Sequence, residues 1–351
     1  MNFEQKHTTE TQRTQRLHRE EGYNIAVSAT PFTMHVFRYS EQDAVRWDQF
    51  VAEAPMATFQ HTRRFLSYHG DRFRDMSLLL TREDQLVALL PAAVDPADES
   101  RVVSHPGITF GGLLHSQHFK GAEVIEAFEL IRRHYEEAGF GVFRYKAIPH
   151  IYQQTPSADD LYALFRVDAH RYRCDLGCAI DLAARPAISQ RRRRGLRKAL
   201  NAGVGIDEGA VYIDEVWSVL EGNLRRKYGA APVHTRAEIT RLHGLFPDNI
   251  RFVVAKHEAR VIAAVVLFVS PRVTRVQYIA SSEVGYTLSA LDAIMEHCIN
   301  NAVEHRARYF DFGASNEDEG RRLNEGVYQF KSEFGGGGVA YEAYELNLHT
   351  R

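Results

Sequence analysis

Cysteine is scarce in this sequence. Cys174, Cys178 and Cys298 are the three in 351 residues, an odd and sparse set that excludes a disulfide scaffold and fits a reducing, cytoplasmic compartment. Cys174 and Cys178 stand in a C-x-x-x-C spacing unlike a redox pair, and Cys298 falls on an apolar stripe, so no cysteine nucleophile is expected. An excess of either charge is also missing. Forty-three Lys and Arg against 45 Asp and Glu leave a formal net charge of −2, which excludes a bulk basic binder and a disordered acidic chain. No apolar run approaches the roughly 20 residues a spanning helix needs, and Met1 to Glu21 is polar, without the apolar segment of a signal peptide. Metal-ligand spacing is absent too: His115 and His118 are close, but no Cys, Asp or Glu joins them before Glu123, so no metal is expected.

What is present is length and repetition. A chain of 351 residues exceeds what one core usually organises. Residues 1–33 carry charges, Thr and Gln without periodicity and read as a mobile tail. Beyond them a pattern occurs twice. "SLLLTREDQLVALLPAAV", Ser77 to Val94, has a counterpart in "FVVAKHEARVIAAVVLFV", Phe252 to Val269, and Glu83 meets Glu258 at an offset of 175. Each is a hairpin of apolar arms around a polar turn. Two helical segments precede each hairpin: Gln42–Ala54 with Trp47 and Thr62–Tyr68, then Ile213–Tyr228 with Trp217 and Arg236–Leu245. One long amphipathic helix and a short strand follow each: Ala122–Ala138 and 141–149, then Leu288–His305 and 307–315. The expected fold is α/β, a tandem duplication in which each copy is a mixed twisted sheet flanked by helices. The expected boundaries are 34–184 for the first domain, 185–203 for a basic linker helix, and 204–351 for a second, catalytic domain.

The second half closes with "YFDFGASNEDEGRRLNEGVYQFKSEFGGG", Tyr309 to Gly337. A strand ending in Asp-Phe-Gly, a polar loop, Asn324, and a helix leading to Phe330-Lys331 resemble the terminal signature of FemABX-type peptidyltransferases and related FemAB-like acyltransferases of the GNAT superfamily. "SHPGITFGG" (Ser104–Gly112), "YGAAPVH" (Tyr228–His234) and "VQYIASS" (Val276–Ser282) resemble segments of FemAB-like proteins linked to cell-surface polysaccharide pathways. The resemblance implies two GNAT-like domains in tandem and an N-acyltransferase. Its donor would be acetyl-CoA or another acyl-CoA, and its acceptor an amine on a small molecule, sugar or peptide. It further implies that the strand Arg275–Ser281, with Ile279 and Ala280, offers backbone N–H groups to the acyl carbonyl. The following loop, with Gly285, would face the pyrophosphate of coenzyme A. That loop, "SSEVGYTLSA", lacks the leading Arg or Gln and the final small residue of the usual coenzyme A pattern. FemABX-type relatives lack it too and take an aminoacyl group from charged tRNA, which makes an aminoacyl-tRNA-dependent ligase the alternative. A non-catalytic GNAT-like binding module is the third reading.

Candidate site residues follow. Lys331 matches the Lys of the Phe-Lys signature and would stabilise the charge of a tetrahedral intermediate. Asp311, between Phe310 and Phe312, would face a cleft by strand alternation and accept the amine's proton. Tyr278 would protonate the leaving group or orient the acceptor, and His234, beside Glu238, is a candidate base. By resemblance, Arg226 and Tyr228 contact acceptor phosphates and Asn324 anchors the closing helix. Ser104, His105 and Tyr145 of the first half would shape the acceptor side. Arg191, Arg192, Arg193, Arg194, Arg197 and Lys198 place six cations in eight positions, spread around a helix, so that they do not all meet one partner.

Overall fold

The two hairpins repeat down to their dihedral angles. In the computed structural model, which describes residues 33–349, Glu83 and Asp84 have φ of 49° and 63°, and Glu258 and Ala259 have the same pair. Both turn residues with positive φ are the mark of a two-residue hairpin turn that matches strand twist. Each hairpin also carries a register shift at the equivalent place, Leu80/Thr81 and Ala255/Lys256. The stretch read as an N-terminal tail lies outside the described residues but for its last position.

The elements of the first half are β1 (Met34–Arg38), α1 (Ala44–Glu53), α2 (Arg63–Leu66), β2 (Leu78–Arg82), β3 (Gln85–Leu90), β4 (Ala93–Asp95), β5 (Asp98–Val103), β6 (Leu114–His115), α3 (Ala122–Glu137), β7 (Val142–Lys146), α4 (Asp159–Arg166) and β8 (His170–Asp181). The second half continues with α5 (Gln190–Asn201), β9 (Gly205–Glu208), α6 (Ile213–Tyr228), α7 (Arg236–Leu245), β10 (Ile250–His257), β11 (Arg260–Val269) and β12 (Val273–Ser281). It closes with α8 (Glu283–Thr287), α9 (Ala290–Glu304), β13 (Tyr309–Ala314), β14 (Asn316–Glu317), β15 (Arg322–Leu323), α10 (Glu325–Ser332) and β16 (Gly337–Asn347).

Proline makes the two copies differ. β11 runs unbroken from Arg260 to Val269, whereas its counterpart is cut at Pro91 into β3 and β4, because proline brings no N–H to a ladder. The first half is thereby split between a four-stranded sheet, β1-β2-β3-β6, and one end of a ten-stranded sheet, β4-β5-β7-β16-β8-β13-β12-β11-β10-β9. The last strand, β16, lies between β7 and β8, so both halves share that sheet.

Three apolar clusters hold the layers. α3 covers one cluster with Val124, Phe128 and Ile131, and α9 covers another with Ile294, Met295, Cys298 and Ile299. The third joins the halves around Trp47 and Trp217, both with no exposed surface. The indole nitrogens repeat as well: Trp47 Nε1 donates to the carbonyl of His61 at 2.8 Å, and Trp217 Nε1 to that of His234 at 3.3 Å. Each His precedes a threonine, Thr62 or Thr235, whose side chain caps the next helix.

α5 packs on α9. Ala199 is buried between them, and Gly195 sits where a Cβ would lie 2.5 Å from Cγ of Asp292. Arg192 holds that carboxylate at 2.9 Å, so it has little room to retreat. Gly195→Ala is therefore expected to cost about 1–3 kcal/mol, the usual range for overpacking, read as a lower urea midpoint at unchanged slope. Among the described residues no helix is long and apolar enough to cross a membrane.

Candidate active site

The site forms where two parallel strands part. β12 and β13 pair through Val273, Thr274 and Arg275 opposite Tyr309, Phe310 and Asp311, and the pairing stops there. On its other edge β12 continues to pair with β11 as far as Ser281, with a bulge that leaves Gln277 unmatched between Val276 and Tyr278. The gap opens a cavity of about 900 Å³ whose walls include Arg275, Gln277 and Ile279 of β12, Phe312, Gly313 and Ala314 of β13, and Phe330 and Lys331 of α10. Among the described residues, Gln277 Oε1 and Arg275 Nη1 are buried without hydrogen-bond partners.

Lys331 is at the inner end of this cleft. Its Nζ donates to the carbonyls of Gly313 at 3.0 Å and Ala314 at 2.6 Å, both on the strand that has lost its neighbour. Burial pulls its pKa down to about 8, against the pull of Asp311 in the opposite direction. Ile279 and Gly285 also line the cleft. The glycine at 285 has a packing reason, since a Cβ there would lie 2.3 Å from the carbonyl oxygen of Ile262 on β11. Ala280 faces the other way, into the core shared by the halves.

Asp311 corrects an expectation. Alternation does separate it from Phe310 and Phe312, but it is fully buried and is not part of the cleft wall. One oxygen accepts the amide of Gly313 at 2.8 Å. The other accepts Tyr152 Oη at 2.7 Å and Tyr341 Oη, with the Arg275 guanidinium 4.0 Å away. A carboxylate so held, fully buried and accepting three hydrogen bonds, is an anchor between the first half, β13 and β16, out of reach of an incoming amine.

Tyr278 and His234 meet on the opposite face of β12 from the cleft. Tyr278 Oη lies 2.5 Å from His234 Nδ1, and the His234 amide donates to the same oxygen at 3.2 Å. Burial lowers the His234 pKa and raises that of Tyr278 to about 12. Glu238 belongs to the capping box of α7 and pairs with Arg72. A row of rings, Tyr278, His234, Tyr68, His69 and His105, leads away from β12. It ends at a second cavity of about 1050 Å³ in the first half, lined in part by His69 and His105. His69 is buried there, its two ring nitrogens without hydrogen-bond partners among the described residues, and its pKa is pushed down to about 4 mainly by burial.

The remaining candidates are mostly framework. Tyr145 is buried, donating to Asp160 at 2.7 Å and accepting the Leu113 amide at 2.8 Å, so it does not reach an acceptor. Ser104 Oγ accepts the Lys146 amide at 2.7 Å and bridges β5 to β7, which keeps the first half from opening a matching cleft. His105 takes φ of 45° and its Nδ1 accepts the Gly107 amide. Asn324 caps α10 through Val327 and donates to Glu317. Arg226 donates to the carbonyl of Ser281 at 3.2 Å, beside the cleft rather than within it. The side chain of Tyr228 lies outside the described residues.

The sequence profile of the acetyltransferase (GNAT) domain family matches residues 185–331, the stretch that builds the cleft from α5 to Lys331. The second half of the chain carries a GNAT-type acetyltransferase domain. No curated protein matches the chain in sequence. Among solved structures, FemX is similar with 9% identity and a TM-score of 0.65, covering 89% of this chain and 97% of FemX. The C-terminal domain of a putative lysylphosphatidylglycerol synthetase from Agrobacterium fabrum is similar with 12% identity and a TM-score of 0.59, covering 87% and 92%. A tandem GNAT protein from the clavulanic acid biosynthesis pathway is similar with 9% identity and a TM-score of 0.53, covering 91% and 100%. The fold of this chain is therefore the duplicated one that its repeated hairpins indicate.

Proposed function

We propose that this chain is an N-acyltransferase. The amine of a small-molecule, sugar or peptide acceptor attacks the carbonyl of an acyl-CoA held in the cleft, and an acceptor of cell-envelope or surface-polysaccharide metabolism is in keeping with the FemAB-type resemblance. The observation that carries the reading is the parting of β12 from β13 beside Lys331. Strand edges exposed there present unpaired backbone groups that an acyl carbonyl is able to engage. The new C–N bond forms as the thioester C–S bond breaks. The amine gives up a proton; in this scheme it approaches through the gap from the opposite face of β12, where His234, kept neutral by burial and joined to Tyr278, is the acceptor. The departing thiolate needs one, and an ammonium of pKa about 8 is matched to a thiol of about 8.5.

A charged tRNA is the second donor to weigh. It is favoured by one observation: Gly285 serves strand packing, and no open glycine loop faces the cleft among the described residues. Incubating the purified chain with acetyl-CoA or with charged tRNA, together with a broad amine panel, is expected to give mass gain of an acceptor from one donor. No gain from either donor would overturn the reading.

A further inference from the structure

We propose that the phosphates of a nucleotide-bearing donor are held at the mouth of the cleft by cationic side chains, Arg194 and Lys198 of α5 with Lys227 of α6. This rests on the acyltransfer reading above and adds the means of donor recognition. Of the six cations on α5, Arg191, Arg194 and Lys198 follow one another at three- and four-residue spacing, and all three line the cleft. Arg192 is turned inward, paired with Asp292 at 2.9 Å and Glu333 at 3.0 Å. Arg193 and Arg197 are exposed and not part of the cleft wall.

The cations at the rim lack anions of their own. Among the described residues neither Arg194 nor Lys198 has a carboxylate within ion-pair distance, and Arg191 only approaches Glu333 at 4.0 Å. Lys227 is steered rather than neutralised, with its Nζ 2.5 Å from Tyr286 Oη and 4.5 Å from the ring centroid. Like charges gathered on one rim repel each other, and a phosphate group is the partner that relieves the repulsion. Between this rim and the buried Lys331, the wall is apolar at Leu224, Ile279 and Leu291. Such a sequence of surfaces suits a donor with phosphates at one end and the acyl group at the other.

The alternative anchor, a helix N-terminus, is already taken. Asp292 sits in the first turn of α9, where a phosphate would meet its carboxylate. α8 is five residues long, and its Gly285 amide is bonded to Ser282 Oγ at 3.1 Å. Side chains are left to hold the phosphates.

Coenzyme A and the 3′ end of a charged tRNA share this phosphate chemistry, and two probes separate them. Binding of coenzyme A and of an RNA minihelix ending in CCA is measured by calorimetry on the full chain across a range of NaCl. The wild type, the double variant Arg194→Gln/Lys198→Gln and the control Arg193→Gln are compared. One probe is expected to bind the wild type with an affinity that falls with salt. The double variant is expected to weaken it roughly 30- to 100-fold, up to about one order for each of the two charge-assisted contacts removed, and to flatten the salt slope. The control is expected to stay within about twofold, since an exposed cation away from the phosphate contributes little. All three positions are exposed, so the urea midpoints are expected to coincide. Equal binding by wild type and double variant, equal loss in the control, or no binding of either probe overturns the clamp. Acyl transfer with a donor KM indifferent to the double variant overturns the clamp alone. Binding that depends on these cations without transfer to any amine overturns the acyltransfer reading and leaves the clamp standing.

Discussion

Asp311→Asn is expected to fold poorly, losing about 3–5 kcal/mol of stability, the cost of removing one partner from a buried ionic network. The substitution keeps the shape but replaces an anion that accepts from Tyr152, Tyr341 and Gly313 and faces Arg275. Arg275 is largely buried, and its pKa is raised by the tyrosines and Asp311 around it. Without the carboxylate it becomes a buried cation with no counter-charge, and an amide N–H is brought against two phenol hydroxyls. Urea unfolding followed by fluorescence reads the effect as a lower midpoint at nearly constant slope. The same measurement separates an anchor from a base. A proton acceptor lost to Asn would leave stability near wild type and lower kcat alone, and that result would return Asp311 to the reacting centre.

How far such roles were legible in the sequence differs by element. The hairpins were, because apolar arms around Glu83-Asp84 and Glu258-Ala259 leave one way to fold locally. α6 and α7 match their expected limits, Ile213–Tyr228 and Arg236–Leu245; a Thr235–Glu238 capping box and Gly229 in the left-handed region mark their ends. β8 and β16 were not legible. β8, "HRYRCDLGCAID", buries few of its first residues, and β16 opens on two glycines, so neither shows the alternation that reveals a half-buried strand. Their pairing across the chain is a tertiary event that no local pattern encodes. At the site, the places of Lys331, Ile279 and Gly285 in the cleft wall were legible through the family resemblance, the first by its motif and the other two by the GNAT pattern of strand and loop. The roles of Arg275 and Gln277 depend on a bulge and on where pairing stops. The His-Thr-Arg triplet at 61 and at 234 does carry its information in sequence: both copies place a His carbonyl on a Trp indole and a Thr at a helix start. Only in the second copy does the His ring meet a strand Tyr, because the first half turns at His105 where β12 runs on.

Lys331→Met is expected to lower kcat by about 10²–10³, the usual loss when one donor to a developing anion is removed, with a smaller change in donor KM. The pH dependence carries the sharper test. With a pKa of about 8, the ammonium that acts as acid or charge stabiliser is lost as pH rises through that value, so the wild-type rate is expected to fall on the alkaline side of about pH 8. Lys331→Arg keeps a cation that does not titrate in this range and is expected to retain part of kcat while losing that alkaline limb. Stability moves in the opposite sense. Below about pH 8 the side chain is charged in both states, and the folded state bears the cost of burying it. Between about 8 and the unfolded value of about 10.4, the unfolded chain holds more of the proton, so the contribution of Lys331 to stability rises with pH. The wild type is therefore expected to gain on Lys331→Met across that window, by on the order of 3 kcal/mol for a shift of this size. Both limbs come from one buried ammonium on the Gly313 and Ala314 carbonyls. A rate that stays flat to pH 10, or a methionine variant within threefold of wild-type kcat, would remove Lys331 from the chemistry and leave it as the cap on the parted end of β13.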